Sequence, residues 1–222
     1  MKRIYMFGEG NKSQKNLLGG KGANLSEMKT MGVPVPAGYT ITTEMCTEYY
    51  ANGAKNSDEL LADMRKYTKR LEEETGKKFG SDTDPLLVSV RSGARVSMPG
   101  MMDTVLNLGL TDVAVAAMIE KTGNPKFVWD IYRRFIHMFG EVVQGVEYEA
   151  FAGVLDTIKK EKGYDNDLQL VAEDWKNVSE QYLAIIEKET GAPFPQDPFT
   201  QLEMAVNAVF ESWDTPRAVI YR

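Results

Sequence analysis

The chain has 222 residues, with 26 Lys and Arg against 32 Asp and Glu, and a net charge of −6. That length fits about one large domain or two small ones, and the acidic balance argues against nonspecific nucleic-acid binding, which needs a cationic face. A single cysteine, Cys46, and a single histidine, His137, exclude an internal disulfide, a Cys-cluster zinc site, a Ser-His-Asp triad and an HExxH site within the chain.

Any chemistry therefore rests on Lys, Arg, Asp, Glu, hydroxyls and backbone. No apolar run approaches the ~20 residues of a membrane span. Residues 1–10 lack the apolar core of a signal peptide. The sequence reads as a cytoplasmic protein with no membrane partner.

In chain order, residues 3–7 predict a short strand. A Gly, Asn and Ser stretch leads to Gly19-Gly20-Lys21-Gly22. Residues 23–31 predict a helix with Leu25, Met28 and Met31 on its apolar face and Gly32 as its stop. Residues 39–42 predict a strand, and Thr43 caps a helix through residue 50. Residues 57–75 predict an amphipathic helix that buries Leu60, Leu61, Met64, Tyr67 and Leu71 and ends at Gly76. Residues 86–90 form an apolar run of buried-strand type. Composition shifts near residue 111, after which helices are expected at 111–122, 125–145, 147–162, 171–190 and 199–212. Asn124-Pro125 starts one of them, and Gly163 and Gly191 stop two. Residues 192–198 read as a linker and residues 217–222 as the beginning of a strand.

Two segments combine the residue types that bind phosphate. In the first, the glycines of Gly19-Gly20-Lys21-Gly22 allow close backbone approach. The helix that follows offers unsatisfied N–H donors and a partial positive charge, and Lys21 adds a full one. The spacing is not a Walker A loop, and a Gly-rich turn with a surface lysine is the competing reading. The second segment, residues 89–104, places Arg91, Arg95, three serines and two glycines beyond an apolar strand. Ligand sites form there in open α/β sheets, and arginine grips phosphate oxygens bidentately. A surface hairpin with ordinary ion pairs is its alternative. His137, among aromatic neighbours on a helix, reads as structural. The aromatic stretch 127–139 reads as core, and Glu72-Glu73-Glu74 as a solvated helix end.

The stretches 16–25 and 86–110 resemble the N-terminal nucleotide-binding segment of the pyruvate, phosphate dikinase family. Residues 123–135 and 212–222 are also similar, so the resemblance runs over essentially the whole chain. The segment Ala94-Arg95-Val96-Ser97-Met98-Pro99-Gly100-Met101-Met102-Asp103-Thr104 is the most specific part; related phosphoenolpyruvate synthases share only the Val-Arg-Ser core.

The resemblance implies an α+β fold, a partial ATP-grasp domain with a mainly helical inserted subdomain. Residues 1–111 would form its first part, 112–197 the insertion and 198–222 the return. It implies ATP and Mg²⁺ as cofactors. ATP and phosphate react at this domain, a histidine on a separate domain takes the pyrophosphoryl group, and a third domain makes phosphoenolpyruvate from pyruvate. By motif match, Lys21 and Arg91 hold the ATP phosphates, with Arg91 the catalytic one. Arg95, Ser97, Gly100, Met101, Met102, Asp103 and Thr104 form a flap over the nucleotide. No metal ligand is assigned within the chain, and His137 does not match the phosphoryl-accepting histidine. The expected partners are the rest of the nucleotide-binding domain, the phosphohistidine and pyruvate domains, and further copies in a homo-oligomer. The chain ends before the family's domain is complete, which implies a fragment unable to finish the dikinase reaction. A non-catalytic nucleotide-binding or scaffold module, and a related phosphotransferase such as a phosphoenolpyruvate synthase, are the other readings.

Overall fold

Residues 2–94 and 104–221 are described in the computed structural model of the chain. The chain divides into two units, one of residues 1–77, 90–104 and 206–222 and the other of residues 78–89 and 105–205.

In the first unit, β1 (Ile4–Met6) pairs antiparallel with β2 (Tyr39–Ile41), Tyr5 standing opposite Thr40. Between them runs α1 (Lys15–Thr30), which is broken at Gly19. The helix thus begins well before residue 23. Its buried face is Leu18, Gly22, Ala23 and Ser26, while Met28 and Met31 are exposed. The reason is proximity: a Cβ on Gly22 would come within 2.7 Å of the Thr40 side chain, so only small residues fit between α1 and β2. Gly32 stops the helix as expected. It takes φ +79, its N–H donates to the Lys29 carbonyl, and the Val33 N–H donates to the Met28 carbonyl.

Thr42, not Thr43, occupies the N-cap of α2 (Thr43–Ala51); the Thr43 hydroxyl instead donates to the Asn16 carbonyl at 2.6 Å. α3 (Asp58–Thr75) starts at Ser57, whose hydroxyl accepts from the Leu60 N–H, and ends at left-handed Gly76. It buries Leu60, Met64, Tyr67 and Leu71, with Leu61 half-buried.

In the second unit, β3 (Lys78–Phe79) pairs parallel with β4 (Pro85–Leu86). The run expected as one buried strand is split. After β4 the chain restarts as β5 (Val88–Arg91), which passes from the second unit into the first at Val90 and in which half-buried Val88 and Val90 alternate with exposed Ser89 and Arg91. β5 pairs with β6 (Thr104–Leu108). Among the described residues every sheet has two strands.

The helices of this unit are α4 (Asp112–Thr122), α5 (Pro125–Val142), α6 (Tyr148–Lys162) and α7 (Ala172–Thr190). Their ends follow the sequence signals. The Asn124 side chain accepts from the Phe127 N–H with Pro125 behind it, and Gly123, Gly163 and Gly191 close helices in the left-handed conformation. Tyr132, Phe135 and Phe139 on α5 are fully buried, and Phe194 packs edge-on against the two phenylalanines. His137 sits among Tyr148, Phe151 and Tyr182, with ring centroids 4.8 to 5.6 Å away. Burial pushes its imidazole below the ordinary range, Arg133 adds to this, and Glu141 opposes it.

α8 (Pro198–Glu211) runs from the second unit into the first. At its start, buried Gln201 accepts from the Gly109 N–H and donates to the Leu110 and Pro195 carbonyls. At its end, Tyr49 donates to Glu211 at 2.7 Å and Tyr50 to the Phe210 carbonyl at 2.8 Å. The segment expected to begin a strand is instead α9 (Pro216–Tyr221). Thr215, with extended backbone, and Pro216 start it, and that pair outweighs the β preference of Val219, Ile220 and Tyr221.

Candidate functional site

The two phosphate-type segments meet in the first unit. Gly19 has φ +69 and ψ 170, a combination essentially reserved to glycine. It lets the chain turn sharply between the first turn of α1 and the longer helical segment that begins at Gly20. A Cβ on Gly19 would fall on the carbonyl oxygen of Gly93. One residue on, the Gly20 N–H donates to the Ala94 carbonyl at 3.0 Å. The backbone of the Gly-rich turn is thus seated directly on the backbone that leaves β5.

Lys21 and Arg91 flank this junction in sequence: Lys21 follows the Gly20 donor, and Arg91 precedes the buried Ser92 and the Gly93-Ala94 acceptors. Both side chains are exposed. Neither forms an ion pair with a described carboxylate, whereas Arg3, Lys29 and Arg70 of the same unit are matched to Asp63, Glu74 and Glu9. Exposed Lys21 and Arg91 near a helix start are of the residue types suited to an anion with several oxygens.

Thr104, the last of the expected flap residues, opens β6 and is half-buried. Arg95, Ser97, Gly100, Met101, Met102 and Asp103 lie outside the described residues. Sequence reasoning named the Gly-rich turn and the arginine segment separately and missed their contact through Gly19 and Gly93. The available signal was Gly19, where a Cβ would collide with the Gly93 carbonyl. Among the described residues no three His, Cys, Asp or Glu side chains converge as a metal site. No described helix is long and apolar enough to cross a membrane.

Residues 15–68 and 54–222 match the family described as the pyruvate phosphate dikinase AMP/ATP-binding domain. The chain belongs to this family. It is 54% identical over 222 residues to the pyruvate, phosphate dikinase of Clostridium symbiosum, covering all of this chain and 25% of that protein. It is 49% identical to the pyruvate, phosphate dikinase of Rhizobium meliloti (strain 1021), again over all of this chain and 25% of the relative. The chloroplastic pyruvate, phosphate dikinase of Mesembryanthemum crystallinum is 49% identical and is covered to 24%. The chain therefore spans about a quarter of the length of these relatives.

Proposed function

We propose that this chain is the nucleotide-binding part of a pyruvate, phosphate dikinase. That enzyme interconverts ATP, phosphate and pyruvate with AMP, pyrophosphate and phosphoenolpyruvate by way of a phosphohistidine on another domain. The observation that carries the reading is the junction of the two segments, the Gly20 N–H on the Ala94 carbonyl with Lys21 and Arg91 beside it. Phosphoryl transfer asks a protein for positioning and charge neutralisation more than for covalent chemistry. Lys21 supplies a compact, mobile charge and Arg91 a planar fork for two oxygens. Arg91 is the residue we assign to the transferring phosphates, and residues 95–104 to a flap over the nucleotide.

The finer fold is part of the same proposal: an ATP-grasp domain in which residues 112–197 are a helical insertion between 1–111 and 198–222. The close packing of α5 on α7 supports an insertion with its own core. Mg²⁺ enters this reading with the ATP phosphates. The described residues bring together no carboxylate cluster for it, and no step here passes through the metal. The phosphohistidine and pyruvate domains, and further copies of the enzyme, are the proposed partners.

Isothermal titration with MgATP tests the assignment. Measurable binding by the chain is expected, weakened about tenfold by Lys21→Ala and by Arg91→Ala, in keeping with the loss of one charge-assisted contact. Affinity unchanged in both variants would remove the two residues from the site.

A further inference from the structure

We infer that Gly19 is a positioning residue, whose contact with Gly93 sets Arg91 in register with Lys21 at the nucleotide phosphates; the inference rests on the nucleotide-binding reading above. Four observations converge on it. Gly19 holds a φ and ψ that side-chain-bearing residues avoid. The space its Cβ would need is filled by a backbone carbonyl, that of Gly93, which cannot rotate aside as a side chain would. The next residue makes a 3.0 Å backbone hydrogen bond to Ala94. From the other side, a Cβ on Gly93 would stand 3.6 Å from the Leu18 carbonyl, an ordinary van der Waals distance, so the steric demand for glycine at this contact falls on Gly19.

Lys21 stands two residues after Gly19, and Arg91 two residues before Gly93. Each is carried by a rigid element, the helical part of α1 from Gly20 onward and the strand β5. Few flexible bonds therefore intervene between the junction and either cation. Pre-setting two charges on one ligand removes an ordering cost that binding would otherwise bear. Gly19 touches no phosphate on this account; it acts through Arg91.

A double-mutant cycle read by MgATP titration separates this from a merely structural role. Gly19→Ala should weaken binding about tenfold when Arg91 is present and less than about twofold in the Arg91→Ala background, a coupling of the size found between contacting residues. Gly32→Ala places similar left-handed strain, at φ +79, beyond the other end of α1 with open space around it. It should lower the melting temperature without moving the affinity. If Gly19→Ala does not fold, glycolic acid in place of Gly20, an amide-to-ester change in a semisynthetic chain, carries the same cycle: it deletes the N–H that bonds Ala94 and adds no atom there. Equal losses in both Arg91 backgrounds, or no loss at all, would overturn the inference and leave the binding site standing. No binding by the wild-type chain, or no effect of Arg91→Ala, would overturn the functional reading itself.

Discussion

Glu9 shows how a single side chain makes the first unit pH-dependent. It accepts from Lys2 at 2.9 Å, from Arg70 at 2.7 Å and from the Met6 N–H at 2.9 Å. Burial alone would raise its pKa, yet these donors hold it down at about 2, against an ordinary 4.5. The folded value lies below the unfolded one, so the contribution is complete above pH 4.5 and is lost as pH falls toward 2. Glu9→Gln is expected to lower the melting temperature at neutral pH and to have little effect near pH 2; equal effects at both would contradict the assignment. His137 works at a higher pH. Its buried Nε2 has no hydrogen-bond partner among the described residues, and the fold disfavours its imidazolium. The unfolded chain therefore gains the proton first, and stability declines as pH drops below 6.5. His137→Phe should abolish the part of this decline between about pH 7 and 5; an unchanged slope in thermal melts would show that His137 is not its source. The reading of His137 as packing rests on the apolar and aromatic residues beside it in sequence, Phe135, Ile136, Met138 and Phe139, whereas the rings it meets in the fold, Tyr148, Phe151 and Tyr182, come from other helices.

Elements with terminal chemistry of their own were the legible ones. Ser57, Asn124, Gly76, Gly163 and Gly191 each sit at the helix end that their side chain or lack of one favours. The misread elements are those where packing or a neighbouring residue overrode the local pattern. The apolar spacing of Leu25, Met28 and Met31 pointed to one face of α1, but closeness to β2 selected the face with Gly22 and Ala23. Thr215-Pro216 made a helix of residues whose own preference is extended. The run 86–90 broke between β4 and β5, which turned Arg91 outward on a half-buried strand. Tight packing recurs in the second unit at Gly140 of α5, where a Cβ would stand 2.9 Å from Phe151 Cζ and 3.0 Å from Ile186 Cδ1. Both neighbours are fully buried. Gly140→Val should therefore cost about 2 kcal/mol in denaturant unfolding, the usual scale of overpacking; a neutral result would mean that α6 and α7 can yield.

For the whole molecule, family membership was legible in the residues because the segments that carry it are long and specific, and 54% identity to the Clostridium symbiosum relative bears that out. The sheet arrangement was not legible, because strands of two to five residues leave little periodicity to read. Net charge was a poor guide as well. A net charge of −6 says nothing of local cations such as the exposed Lys21 and Arg91. The central claim is that Gly19–Ala23 and Arg91–Ala94 together form the phosphate end of a nucleotide site. Amide hydrogen exchange of the chain with and without MgATP tests it most directly. Slowed exchange is expected at residues 19–23 and 91–94 when the nucleotide is bound. Protection elsewhere with neither segment affected would contradict it.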